Sequence, residues 1–236
     1  MAGISVAFDD RESALSTLEA PLPINDLIPG TGLWEVEIGF GKGRYLLRRA
    51  AECPAKRFLG IEMAAQYFRL VRQRAMKRDI ENLLLVRGEA LYLLSAVLPA
   101  GFASAVHVYF PDPWPKARHQ SRRLFDRETV DLVLGLLGPG GVLFFATDFL
   151  DYAEMVAEIL DSHPGVSRRS LSAPWEGEAR TNYEAKYLRE GRSIARFEVT
   201  CRAWEDGDSL HPEASRAIRA AVGWPPQQAS EGVESQ

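Results

Sequence analysis

The segment from Val106 to Leu124, VHVYFPDPWPKARHQSRRL, joins a carboxylate, an aromatic ring and a run of cations across a rigid turn. Asp112 stands between Pro111 and Pro113, Trp114 follows, and Lys116, Arg118, His119, Arg122 and Arg123 come directly after. Proline fixes its own φ and removes a backbone donor, so the carboxylate is displayed on a stiff turn. Side chains of these kinds make a poor core. Together they suit a catalytic mouth for an anionic, aromatic substrate. Trp114 can stack on a flipped-out base or wall the pocket against the prolines. The cations can engage phosphates, a solvated helix face being the plainer alternative.

A second motif lies upstream, where residues 33–44 read LWEVEIGFGKGR. An apolar run ends in Glu37, and Gly39, Gly41 and Gly43 follow. Glycines between a strand and a helix let backbone approach a nucleotide-type cofactor. A dinucleotide fingerprint G-x-G-x-x-G would need its third glycine at Arg44. The pattern is instead E-x-G-x-G-x-G. A carboxylate there suits a cationic cofactor with an ammonium group, which points to S-adenosylmethionine. The next apolar run, RFLGIE, ends in Glu62, about 20 residues on, where a carboxylate can accept both ribose hydroxyls.

These residues need a frame that presents them on one edge. Candidate strands near 33–38, 57–61, 82–86, 104–110 and 141–147 alternate with helical patterns near 43–53, 64–78, 90–97, 123–137 and 150–161. That alternation predicts a parallel sheet with helices on both faces. The helix over 64–78 is expected to bury Tyr67, Leu70, Val71 and Ala75 and to turn its cations outward. Gly138-Pro139-Gly140-Gly141 reads as a tight turn into the fifth strand. Late strands near 166–172 and 193–201 complete the sheet. Ligands bind at the carboxyl ends of strands in such sheets, and Glu37, Glu62, Glu89, Asp112 and Asp148 all fall there. Taken singly, Glu89 and Asp148 could equally be helix caps or loop acids.

The chain has 236 residues, 46% of them hydrophobic, enough for one sizeable core. Three segments are expected: an extended or mobile arm over 1–30, a catalytic domain over 31–224 and a polar, disordered tail over 225–236. With a net charge of −4, any positive surface for RNA must be local, and 116–123 supplies one. Cys53 and Cys201 show no metal or disulfide spacing, and no metal is expected. The apolar stretch 132–146 is broken by its glycines and proline, so no membrane span and no signal peptide is expected, and a cytoplasmic location follows.

With VEIGFGKG (36–43), GIE (60–62), FPDPWPKARHQSRRL (110–124), ATD (146–148) and TNYEAK (181–186), the chain resembles the TrmB family of tRNA (guanine-N7-)-methyltransferases. The resemblance runs from about Leu33 to Cys201. It implies a Rossmann-like class I S-adenosylmethionine-dependent methyltransferase with a seven-stranded, mostly parallel sheet whose last strand is antiparallel. It also implies methyl transfer to N7 of the guanosine at position 46 of the tRNA variable loop. Under it Asp112 is catalytic and also touches the cofactor. Glu37 sits near the methionyl end, Glu62 on the ribose, and Gly39, Gly41 and Gly43 clear space. Glu89 stands where the family usually has an aspartate toward the adenine amino group. Lys116, Asp148, Thr181, Asn182, Tyr183 and Glu184 fall to the substrate. Trp114, Arg118, His119, Arg122 and Arg123 fall to RNA. Thr181 and Glu184 also read as a helix capping box. Monomers and homodimers both fit.

Three other readings compete. A methyltransferase acting on an exocyclic amine of another RNA or of a protein uses an [N/D]-P-P-[Y/F/W] turn. Here only Pro113 stands between Asp112 and Trp114, which favours a ring nitrogen. A dehydrogenase is disfavoured by Arg44. A non-catalytic RNA-binding module has no use for the glycine turn with Glu37 and Glu62.

Overall fold

The computed structural model describes residues 5–7, 24–28, 31–127 and 129–202. Its strands are β1 (Ser5–Ala7), β2 (Trp34–Ile38), β3 (Arg57–Glu62), β4 (Leu83–Arg87), β5 (Ala103–Tyr109), β6 (Leu137–Thr147), β7 (Val166–Ser170) and β8 (Ala195–Cys201). They form one sheet in the order β1-β4-β3-β2-β5-β6-β8-β7. Every pairing is parallel except those of β8, which runs antiparallel to both neighbours. The seven expected strands are all present. The three-residue β1, from within the expected N-terminal arm, adds an eighth at the edge. Apart from β1 and the short helix α1 (Ile24–Leu27), most of that arm lies outside the described residues, as does the tail expected from 225.

The remaining helices are α2 (Arg44–Glu52), α3 (Ala65–Lys77), α4 (Ala90–Tyr92), α5 (Val130–Leu134), α6 (Leu150–Ser162) and α7 (Asn182–Arg189). On one face, Leu46 and Leu47 of α2 and Phe68 and Val71 of α3 pack with Phe58, Leu83 and Leu85 of the sheet. On the other, Tyr152, Val156 and Leu160 of α6 join Val36, Val106 and Val108. The central strands are covered on both faces; β3, β4 and the second half of β6 read as largely apolar runs, whereas β2 (WEVEI) alternates. The strand period of two then has a chemical consequence. Trp34, Val36 and Ile38 belong to the α6-side core, so Glu35 and Glu37 point to the α2 side. There Glu37 stands in register with His107 of β5.

The structure corrects several expectations. In α3 Val71 and Ala75 are buried as expected, but Phe68 is the third buried residue and Tyr67 and Leu70 are only half-buried. The helix expected over 90–97 is α4 followed by a π-helical turn, Leu93–Val97. The helix expected over 123–137 shrinks to α5. A 3-10 turn occupies Ala117–Arg122. Asp126 and Thr129 then bond reciprocally, the Thr129 N–H to Asp126 Oδ1 at 2.8 Å and the Asp126 N–H to Thr129 Oγ1 at 3.1 Å. Such local side-chain bonds compete with the helical ladder and fix where it starts. The glycine-proline segment 138–141 is a bulge inside β6, since Ala103 pairs with Leu137 but Ala105 with Val142.

Candidate active site

Glu37, Glu62, Glu89, Asp112 and Asp148 lie at the carboxyl edge of the sheet, at or just beyond the ends of β2, β3, β4, β5 and β6. A cleft of about 340 Å³ opens there, bounded by the turn after β2, the end of β5 and the start of α7. Of the expected site residues it is lined by Glu37, Gly39, Gly41, Thr181, Asn182 and Tyr183. Gly43, Glu62, Glu89, Asp112, Lys116, Asp148 and Glu184 do not line it.

Glu37 is 3% exposed, and its Oε2 has no hydrogen-bond partner among the described residues. Burial pushes its carboxyl up to about 8, against a backbone hydrogen bond from Leu46 and with a further push from the charge of Glu62. A buried acceptor without a partner is costly. An ammonium group placed in the cleft would relieve that cost. The residues present therefore fit the cationic end of S-adenosylmethionine.

The glycine turn has two functions. Gly39 and Gly41 hold φ of +76° and +51°, and a Cβ on either would meet nothing within 4 Å, so both leave open room at the cleft. At Gly43 (φ +70°) a Cβ would lie 2.6 Å from Val71 Cγ2. Gly43 therefore lets α2 start against α3, and its expected space-clearing role at the cofactor is corrected. Glu62 braces the turn from behind: its Oε2 accepts the Gly41 N–H at 2.9 Å and its Oε1 the Ala64 N–H at 2.8 Å. A carboxylate has about four lone-pair sites, so two remain for a diol. Glu89 is exposed and caps α4, accepting from the N–H groups of Leu91 (3.1 Å) and Tyr92 (2.7 Å).

Beneath the cleft lies a buried polar cluster that sequence reasoning missed. His107 is within hydrogen-bonding distance of Tyr45 Oη (3.3 Å) and Tyr109 Oη (3.0 Å). Burial pushes His107 down to about 4, against the pull of Glu35, so the ring is neutral. Burial works to raise Glu35, but His107 and Lys56 outweigh it and hold that carboxyl well below the usual range. Arg180, 4% exposed, donates to Tyr109 Oη at 2.7 Å. Its guanidinium sits over the rings of Phe144 (4.7 Å), Trp175 (4.7 Å) and Tyr45 (5.2 Å). Arg180 thus ties the start of α7 to the aromatic wall of the cleft. The nearby Trp175 was the available signal.

The TNYE segment divides by burial. Thr181 caps α7, accepting the Glu184 N–H at 3.0 Å. Asn182 and Tyr183 are exposed on the cleft wall. Glu184 is 0% exposed, accepting the Arg180 N–H (2.8 Å) and pairing with Arg196 (2.7 Å). Its expected contact with the substrate is corrected: the carboxylate holds the cap and the sheet together. Asp148 is half-buried and paired with Arg192 at 3.1 Å.

Asp112 is exposed, two residues beyond Phe110, which lines the cleft. Phe110 and Trp114 have φ of +53° and +39°. Side chains other than glycine rarely adopt such values, and strain of this kind collects at functional sites. Trp114 is half-buried, edge-on to His119 (5.9 Å) and under Arg122 (5.2 Å). Lys116, Arg118 and Arg122 are exposed. Arg123 is 5% exposed and leaves the RNA-facing set, because its Nε donates inward to the Pro113 carbonyl.

The strand order, the glycine turn after β2 and the acids along the carboxyl edge define a class I methyltransferase. A family model described as a putative methyltransferase matches residues 33–197. The tRNA (guanine-N(7)-)-methyltransferase of Nitrosococcus oceani is 36% identical over 159 residues, covering 67% of this chain and 67% of its own. The protein of that name from Treponema pallidum (strain Nichols) is 35% identical over 195 residues, covering 82% of this chain and 73% of its own. The crystal structure of the 16S rRNA methyltransferase KamB shares the fold, with a TM-score of 0.56 at 13% identity, covering 76% of this chain and 92% of its own. The chain belongs to the tRNA (guanine-N(7)-)-methyltransferase family.

Proposed function

We propose that this protein methylates N7 of a guanosine in tRNA, at position 46 of the variable loop, with S-adenosylmethionine as donor. The observation that carries it is Glu37, a buried carboxyl group whose Oε2 has no hydrogen-bond partner among the described residues, at the edge of a cleft walled by Gly39 and Gly41. The relatives' names supply the acceptor. Glu62 takes the ribose, and Glu89 caps α4 while the adenine lies beside it. Asn182 and Tyr183, with the first amides of α7, take the guanine. Lys116, Arg118, His119 and Arg122 hold phosphates, and Trp114 stacks on a base.

The donor supplies an electrophilic methyl group. Guanine N7 carries an in-plane lone pair, so no proton need be removed before it attacks. Alignment is then the main requirement, and alignment alone supplies several kcal/mol. The purine gains positive charge as N7 is alkylated. In this reading Asp112 holds the N1–H and amino edge of the base and stabilises that charge. No helix among the described residues is long and apolar enough to cross a membrane. We place the enzyme in the cytoplasm with its substrate.

The test is methyl transfer from labelled S-adenosylmethionine to an unmodified tRNA transcript, followed by cleavage specific for N7-methylguanosine. One cut in the variable loop is expected. Label without a cut moves the reaction to another atom, such as an exocyclic amine.

A further inference from the structure

The phosphate contacts proposed so far lie in the segment 116–122. A second positive surface lies elsewhere. Between the glycine turn, α2, α3 and α7 runs a groove of about 760 Å³. Six of its lining residues are cations, Lys42, Arg44, Arg48, Arg74, Arg78 and Arg189, and no carboxylate among the described residues lines it. All but Arg48 are exposed. Arg48 is neutralised by Glu178 at 2.9 Å, whereas Lys42, Arg44, Arg78 and Arg189 make no ion pair with the described residues. Arg74 spends one N–H on the Lys42 carbonyl at 2.9 Å and keeps its charge.

A solvated helix face would explain the cations of α3 alone. It does not explain convergence from the glycine turn and three helices in a chain whose net charge is −4. Like charges brought together in a concave surface repel, and their field is focused there. Five of the six are arginines, whose planar forks match phosphate oxygens bidentately. The groove also adjoins the cleft, since Lys42, Arg44, Asn182 and Arg189 line both.

We infer that this groove holds the phosphodiester backbone of the tRNA substrate, on the α2–α3 side of the site and apart from the 116–122 cations. The inference rests on the proposed tRNA reaction. A nucleotide seated in the cleft has flanking phosphates, and this groove gives one strand direction a path out. Its contacts read charge and not base, so they position the RNA without selecting sequence.

The experiment uses the full chain with Arg78→Glu and, as a milder change, Arg78→Gln. Arg78 lies at the exposed end of α3 and does not line the cleft. Binding of a labelled, unmodified tRNA transcript is followed by fluorescence anisotropy across a salt series. S-adenosylmethionine binding is measured by calorimetry, and N7-methylguanosine by the cleavage assay. For Arg78→Glu, tRNA affinity should fall about tenfold at low salt, with the slope of log K against log salt shallower by roughly 1. Donor affinity should stay the same. Unchanged tRNA affinity and slope in both variants would overturn the inference, whatever the wild type methylates. Lost affinity in a protein whose wild type makes no N7-methylguanosine would keep the groove and remove the proposed reaction. A wild type that does not bind tRNA overturns both.

Discussion

Arg123 donates its Nε–H to the carbonyl oxygen of Pro113 at 2.8 Å. The same guanidinium lies 4.8 Å over the ring of Tyr152 on α6 and touches Met155 Sδ at 3.3 Å. The turn that displays Asp112 is therefore anchored to the hydrophobic core through one buried arginine. Its neighbour Arg122 lies outside, over Trp114.

That anchor makes Arg123 a positioning residue. Arg123→Lys keeps a charge and a stem but loses the planar fork that reaches Pro113 and stacks on Tyr152. Small displacements at a reacting centre are expensive. Turnover should fall about tenfold to a hundredfold, with donor affinity and the salt dependence of tRNA binding unchanged. Arg122→Lys should do the reverse, weakening tRNA binding with little effect on kcat. Equal kcat losses in the two would refute the division.

Asp112→Asn separates charge from shape. If the carboxylate stabilises the charge growing on the purine, the amide keeps part of the base contact and loses that stabilisation. Loss of one well-placed electrostatic contact costs a factor of about 10²–10³ in kcat in comparable sites. S-adenosylmethionine affinity should stay near that of the wild type, because Asp112 stands outside the cleft wall. A comparable loss in donor affinity, measured by calorimetry, would place Asp112 on the cofactor instead.

Glu37 gives a pH signature. Between the ordinary glutamate value of 4.5 and about 8, the folded protein keeps a proton that the unfolded chain has lost. Stability attributable to this group is full below 4.5 and is lost as pH rises through that window. Relative to wild type, Glu37→Gln should therefore gain thermal stability progressively from pH 5 to pH 8. Donor binding should behave oppositely. It should strengthen in the wild type as Glu37 ionises, until the donor's own amino group loses its proton near about 8. Glu37→Gln should bind the donor about 10- to 100-fold more weakly, the worth of a charge-assisted hydrogen bond, and show no rising limb. A rising limb that persists in Glu37→Gln would assign the titration to another group.

Much of this was legible in the chain because the sheet is buried on both faces. Most of its strands then read as apolar runs, and the strand ends bring Glu37, Glu62, Asp112 and Asp148 to one edge. Less legible was anything set by a partner far along the chain. Nothing in the pair Arg122-Arg123 says which side chain turns inward; Tyr152 on α6 decides it. Glu184 reads as a capping acid or a substrate contact until Arg196 arrives from β8. The cage around Arg180 takes rings from α2, β6 and the loop before α7. Val71 and Ala75 of α3 were legible as buried, but Tyr67 and Phe68 are both aromatic and nothing local says which turns inward. Tyr67 faces the cleft and Phe68 the core.

The Glu184–Arg196 pair is 1% and 3% exposed at the side chains. Removing one partner of such a pair strands the other charge and costs about 3–5 kcal/mol. Glu184→Gln should lower the melting midpoint by about 10 °C. Glu184→Gln with Arg196→Met should recover a good part, since replacing both charges leaves none uncompensated. A double variant no more stable than the single would show that Glu184 acts mainly through the Arg180 N–H.

Gly41 and Gly43 should respond differently to a single methyl group. Both have positive φ, so alanine at either costs about 1–2 kcal/mol of backbone strain. At Gly41 the methyl enters open space, and Gly41→Ala should lose donor affinity with only that modest loss of stability. At Gly43 the methyl drives into Val71 between α2 and α3, adding an overpacking cost of about 1–3 kcal/mol. Gly43→Ala should be the less stable of the two while the donor, once the protein is folded, binds nearly as before. Val71→Ala removes the obstructing methyls, so Gly43→Ala with Val71→Ala should be more stable than the sum of the single changes implies, a coupling that a double-mutant cycle of denaturant midpoints measures directly. Strict additivity would mean that the third glycine is required for its backbone angle alone.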